Sequence, residues 1–208
     1  MYLLGDSTTR QWAFELSVLL NYKLSAYYQT THPSWMFQFN HYFDQIQFNV
    51  TFQFHPQILG SATIPVDDEM YEVDVLDSLT NEDCNYVVVI SPWAHFSQWW
   101  KYAYTERLRL LRSSVERLKS RCPDVPVILK SPHVRNHKDK YSHLMNGDYI
   151  ISQIKRDIET VFKDVDVFYV NVWDMNLAYP GTKTIHMPMS VVNQELSILL
   201  SYLCQDRG

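Results

Sequence analysis

Met1-Tyr2-Leu3-Leu4-Gly5-Asp6-Ser7-Thr8-Thr9-Arg10-Gln11-Trp12 opens the chain, and its reading decides the fold. Met1 to Asp6 is a short, largely apolar run of the kind that forms a buried strand. From Ser7 to Tyr22 the period changes, and Trp12, Leu16, Leu19 and Leu20 fall at helical spacing. Ser7, Thr8 and Thr9 are all residue types that cap a helix N-terminus. A strand passing through a glycine turn straight into a helix is the first half of a β–α unit.

The rest of the chain repeats that alternation. Gln47 to Phe54 alternates polar and apolar residues, with Phe48, Val50, Phe52 and Phe54 on one face of a strand. Tyr86 to Ile90 and Val125 to Lys130 are continuous apolar runs, as strands buried on both faces are. Val165 to Val170 supplies a further strand. Helices are expected over Asp67 to Leu79, Phe96 to Arg121, Tyr149 to Phe162 and Ser190 to Leu203. The longest places Leu108, Leu111, Val115 and Leu118 on one side. Ser25 to Phe43 is aromatic and irregular and is expected to be a long loop or insertion, at about residues 25–45. The fold expected is α/β, a three-layer α/β/α sandwich with a mainly parallel sheet, in one domain over residues 1–208.

Bulk properties fit that reading. The chain has 208 residues, 46% hydrophobic and 20% charged, which is globular rather than disordered. A net charge of -5 without a basic stripe argues against a nucleic-acid partner. No run approaches the ~18–20 apolar residues of a transmembrane helix. The three cysteines, Cys84, Cys122 and Cys204, form no CxxC pair, so no metal site is expected, and Cys122–Cys204 is a conceivable disulfide. Asn49-Val50-Thr51 matches a glycosylation acceptor, a weak pointer to the secretory route.

In a parallel sheet, ligands bind beyond the carboxyl ends of the strands. That gathers Gly5-Asp6-Ser7, Ser91 to His95 and Ser131 to Arg135 around one crevice, with the late loop Asp174 to Pro188 as a fourth wall. Ser7 at the head of a helix suits a nucleophile, because free N–H groups and the helix dipole favour developing negative charge. It suits a helix cap about as well. A serine nucleophile needs a base. Of eight histidines, His32, His41, His55, His137 and His143 read as surface or structural residues, whereas His186 stands in a loop just before the terminal helix. Asp174, at the end of the last strand, is the carboxylate expected to orient it, or else it caps a turn. His95 is an oxyanion donor or a cap. Arg10, one turn into the first helix, holds an anionic group or pairs with Asp6 or Glu15. Trp99 and Trp100 are aromatic enough to stack a sugar ring, though one of the pair belongs in the core.

Taken together, Gly5-Asp6-Ser7-Thr8-Thr9-Arg10-Gln11-Trp12, Ile90-Ser91-Pro92-Trp93-Ala94-His95-Phe96, Trp173-Asp174-Met175, Ala178-Tyr179, His186-Met187-Pro188 and Leu200-Ser201-Tyr202-Leu203-Cys204 resemble the SGNH hydrolase superfamily. Within it they resemble the PC-esterase branch, and more narrowly the carboxy-terminal domain of the NXPE family (neurexophilin and PC-esterase domain). The resemblance implies a Ser-His site with Ser7 as nucleophile and His186 as base. It implies removal or transfer of an O-acetyl group on a carbohydrate, sialic acid being one such sugar, with acetyl-CoA as an acyl donor and no tightly bound cofactor. It further implies a Golgi-resident or secreted protein whose usual amino-terminal neurexophilin-like domain is not in this sequence.

The departures are specific. Lys183 stands three residues before His186, where the superfamily usually has an Asp; Asp174 is the substitute expected. Pro92-Trp93-Ala94-His95 replaces the usual Gly-x-Asn-Asp loop, and Met187 intervenes before the proline. The oxyanion and substrate set expected is then the Ser7 N–H, a loop N–H at Gly60 or Ser61, His95, Arg10 and Trp93, with the aromatic insert from Tyr27 to Phe43 as a lid. The alternative is a secreted binding or signalling protein that uses this fold without turnover.

Overall fold

The fold is that of a computed structural model, which describes residues 1–20, 38–56, 70–80, 82, 84–137 and 140–205. Its strands are β1 (Tyr2–Gly5), β2 (Gln38–Phe43), β3 (Phe48–Phe54), β4 (Val88–Ser91), β5 (Val127–Lys130) and β6 (Phe168–Val170). Its helices are α1 (Ser7–Leu19), α2 (Glu72–Ser78), α3 (Lys101–Arg121), α4 (Lys140–Asn146), α5 (Asp148–Val161), α6 (Trp173–Ala178) and α7 (Met189–Leu203). The strands form one six-stranded sheet in the order β2-β3-β1-β4-β5-β6. All neighbours are parallel except β2, which runs antiparallel to β3 at the edge.

Side-chain alternation along each strand explains the three layers. Leu3, Val89, Ile128 and Val170 point to one face and pack with Trp12, Ala13 and Leu16 of α1 and Val192, Leu196 and Leu199 of α7. Leu4, Ile90 and Leu129 point to the other and pack with Leu76 of α2, Leu108, Leu111 and Val115 of α3, and Ile151, Ile154 and Ile158 of α5. Helices thus bury apolar stripes on both faces of a mainly parallel sheet, the architecture expected from the alternation.

Three expectations need correction. Gln38–Phe43 is a regular strand, not part of an irregular loop, with Phe39, His41 and Phe43 buried and Asn40 and Tyr42 exposed. Its period was hidden because the buried middle residue is a histidine; residues 25–37 of that insert, and with them most of the expected lid, lie outside the described residues. The long helix begins at Lys101, because Ala94–Phe96 forms a separate 3-10 turn. The disulfide joins Cys84 to Cys122, and Cys204 is free and exposed. Cys122 sits in the core under α3, whereas Cys204 ends α7 on the opposite face, so the two cannot meet. Closing a separation of 38 residues restricts the unfolded chain and contributes about 3–4 kcal/mol.

The sheet also positions the crevice. β3 and β4 flank β1, so the chain passes to one side of β1 and then to the other. Such a switch of direction opens a cleft beyond the carboxyl ends. The register pairs Gly5 with both Phe54 and Ser91, so the loops after β1, β3 and β4 leave the sheet side by side. Gly5 permits this convergence: a Cβ there would lie 2.9 Å from the Ser91 carbonyl oxygen and 2.5 Å from Thr9 Oγ1. Among the described residues no helix is long and apolar enough to cross a membrane.

Candidate active site

Asp6, not a hydroxyl residue, is the N-cap of α1. Its carboxylate accepts the Thr8 N–H at 2.7 Å, and its carbonyl accepts the N–H groups of Thr9 and Arg10 at 3.1 and 3.0 Å. The capping role that Ser7 was equally suited to is therefore filled. The Ser7 hydroxyl instead faces His186, with Oγ 2.7 Å from Nε2. His186 comes from the loop between α6 and α7, so the two residues meet across 179 positions of sequence.

The charges around this pair keep the ring neutral. Burial lowers the His186 pKa below its ordinary value, Arg10 and Arg135 lower it further, and Asp6 opposes them. A neutral ring with its proton on Nδ1 offers Nε2 as acceptor to the Ser7 O–H, which is the arrangement a general base needs. Asp6 is fully buried. Burial alone would raise its carboxyl; His55, His95, Lys130 and the Thr8 N–H outweigh that and leave it below its ordinary value. Its second oxygen accepts the Ala94 N–H at 3.1 Å, so one carboxylate ties the start of α1 to the loop after β4.

The other expected site residues are placed as follows. His95 lies in that same loop, stacked on Phe54 at 5.4 Å and 4.9 Å from the ring of His55. Burial holds its pKa below the ordinary value, and its electrostatic neighbours include Asp6, Arg10 and His186, so the structure does bring it to the crevice. Arg10 lies over Phe54 at 6.0 Å and exerts its charge on His186 and His95. Trp93 is 1% exposed and packs edge-on against His133, so it belongs to the core and presents no face to a substrate. Trp99 is partly buried against Phe96, and Trp100 is exposed. Gly60 and Ser61 lie outside the described residues.

Asp174 is not joined to the pair. It is exposed in the first turn of α6, and among the described residues no carboxylate is hydrogen-bonded to His186. The reason is the short helix itself: α6 begins at Trp173, immediately after the last strand residues, and anchors through Asn176, which donates to the Val172 carbonyl and to Glu195 Oε1, each at 2.7 Å. Lys183 is drawn the other way, its backbone bonded to Asn136.

Residues that sequence reasoning passed over crowd the floor of the crevice. Lys130 is buried at the end of β5, with Nζ 3.4 Å from Thr8 Oγ1 and 5.4 Å from the ring of Trp12. His133, in the loop after β5, contacts the Ile185 carbonyl oxygen through Nε2 at 3.1 Å. His55 is buried beneath His95, with Nδ1 2.8 Å from the Pro56 carbonyl oxygen. The loop holding His133 was already expected at the crevice, so its position was the available signal; Lys130 gave none, since a lysine ending an apolar run reads as a strand terminus. Among the described residues no group of three or more His, Cys, Asp or Glu side chains is placed to hold a metal ion.

Two buried histidines make stability depend on acid. Burial lowers the pKa of both His55 and His133 to about 3, from 6.5. Their rings are neutral when folded but take up protons when unfolded at pH below 6.5. The stability they contribute is present above pH 6.5 and is lost as pH falls from there towards about 3. Asp6, whose pKa is also depressed from 3.8, adds a loss of the same sign only below that pH. The urea midpoint should therefore fall steadily between about pH 7 and pH 4; a midpoint unchanged over that interval contradicts the assignment of buried neutral rings.

The model of one protein family, described as NXPE family member 4-like, C-terminal domain, matches residues 1–204 of the chain.

Proposed function

We infer the activity from two facts: the chain belongs to the NXPE family, as its C-terminal domain, and Ser7 Oγ lies 2.7 Å from His186 Nε2 at a helix N-terminus. The second carries the proposal, which is acetyl transfer or hydrolysis on a carbohydrate through an acetyl-enzyme. His186 Nε2 takes the hydroxyl proton as Ser7 Oγ attacks the carbonyl carbon of an acetyl ester or of an acetyl thioester such as acetyl-CoA. The Ser7 N–H is the one first-turn amide that Asp6 does not take, and with His95 it stabilises the oxyanion. His186 returns the proton to the departing alkoxide or thiolate. A sugar hydroxyl or water then gives its proton to His186 and attacks the acetyl carbonyl, and Ser7 leaves and recovers a proton.

Substrate charge follows from the neighbours. Arg10 and Arg135 both act on His186, and Arg135 Nε is buried without a hydrogen-bond partner among the described residues. Two guanidinium groups beside the nucleophile favour a sugar bearing a carboxylate, as sialic acid does. The Cys84–Cys122 disulfide supports residence in an oxidising compartment, the Golgi lumen or outside the cell.

That no carboxylate among the described residues is bonded to His186 favours a second reading, a carbohydrate-binding protein without turnover. One experiment separates them. The protein is incubated briefly with acetyl-CoA or an acetylated chromogenic ester, quenched in acid, digested and analysed by mass spectrometry. The expected result is one acetyl group on the peptide containing Ser7. An unmodified Ser7 peptide under conditions that acetylate a known serine esterase would leave only the binding reading.

A further inference from the structure

We propose that His133 is the positioning residue for the base, holding His186 against Ser7 through the backbone of the preceding residue, where related sites use a carboxylate on the ring. The proposal rests on the reading of Ser7 and His186 as nucleophile and base. A base carried on a loop must be held to within about 0.5 Å to work, and among the described residues no carboxylate is bonded to the ring of His186. The backbone on both sides of it is held instead. The Ile185 carbonyl oxygen meets His133 Nε2 at 3.1 Å, and the Met187 carbonyl accepts from Gln11 Nε2 at 3.0 Å. Two further bonds fix the approach to the loop: Asn136 N–H donates to the Lys183 carbonyl at 2.7 Å, and Lys183 N–H to Asn136 Oδ1 at 3.0 Å. Met187 is itself buried, in the same cluster as Val191, Leu196 and Leu3 of β1.

His133 is built as a donor of one fixed direction. A carbonyl oxygen only accepts, so Nε2 must carry the proton. Burial first, and Lys130 second, keep the ring neutral, so Nδ1 carries none. Nδ1 is buried without a partner among the described residues, and Trp93 packs against the ring in a T-shaped contact with centroids 5.0 Å apart. The side chain therefore has one tautomer, one donor and one acceptor to meet, all in a water-excluded setting where a hydrogen bond is strong. Ser131 to Arg135 follows β5 and the base loop precedes α7, so this bond couples the sheet to the catalytic loop.

The test uses the whole chain labelled with nitrogen-15 histidine, as wild type, His133→Gln, His133→Leu and Asn136→Ala. Gln keeps an N–H near the Nε2 position, and Leu removes it. In the wild type the His133 ring should show the Nε2–H tautomer without titrating between about pH 5 and 8. In His133→Leu, the His186 titration should move up towards an ordinary histidine value as the ring escapes burial, and kcat on an acetyl ester should fall about tenfold to a hundredfold with KM unchanged. Gln should restore both. Asn136 is exposed, so Asn136→Ala will fold even if the leucine variant does not, and should shift His186 the same way by less. A His186 titration identical to wild type in the folded variants overturns the proposal. The ring titration decides the clamp whether or not the protein turns over, whereas equal turnover by wild type and Ser7→Ala counts against the catalytic reading alone.

Discussion

Ser7→Ala is expected to reduce turnover of an acetylated sugar or chromogenic ester by about 10³-fold or more while leaving the fold intact. The two halves of that expectation have separate causes. The loss is large because, among the described residues, no other hydroxyl is placed on His186 Nε2, and removing one member of a nucleophile–base pair disables both. The double variant Ser7→Ala/His186→Ala should accordingly be no slower than either single one. The fold is spared because Asp6 caps α1, so the Ser7 hydroxyl carries no share of helix stability. The Ser7–His186 contact is open to solvent, so His186 loses only a partner that water replaces. Stability should therefore change by no more than about 0.5 kcal/mol. Equal rates for Ser7→Ala and wild type, measured with purified folded protein, would remove Ser7 as the nucleophile.

What the sequence made legible was what period and strand-end position encode. The apolar runs at β1, β4 and β5 and the heptad-like spacing in α3 are one-dimensional signals of burial, and each became the element expected. Ser7 and His186 became candidates because both stand where a parallel sheet exposes its loops, and the family resemblance is what joined them as a pair. The acid is misplaced by sequence for a physical reason: Asp174 to Pro188 reads as one loop, but its first residues coil into α6 and leave Asp174 exposed to solvent. Trp93 was chosen as an aromatic near the site, and its burial depended on how the loop after β4 turns, which no pattern in Pro92-Trp93-Ala94-His95 encodes. The disulfide depended on which face of the sheet each helix covers. The burial of Lys130, His55 and His133 was not legible for a shared reason: buried ionisable residues run against the hydrophobic pattern and are found only once packing is known.

Asp6→Ala is the substitution expected to cost most in stability, about 3–5 kcal/mol. Three losses combine. The first turn of α1 loses its cap, worth about 1 kcal/mol. The Ala94 N–H loses the carboxylate that draws the loop after β4 to the helix. Above all, Lys130 is fully buried and loses the carboxylate with which its charge interacts. A buried charge deprived of its counterpart is far more costly than the pair was favourable, which makes the effect larger than any one hydrogen bond. Replacing both together should reveal that coupling. Asp6→Ala/Lys130→Met removes the orphaned charge and should recover about half of the lost stability, so the two changes will not add. Turnover should fall in both variants, because Asp6 is also the carboxylate that favours the protonated ring of His186 during proton transfer. Chemical denaturation of the wild type, both single variants and the double variant closes the cycle. Strict additivity would mean that Lys130 does not depend on Asp6, and that the charge beneath the nucleophile is balanced in some other way.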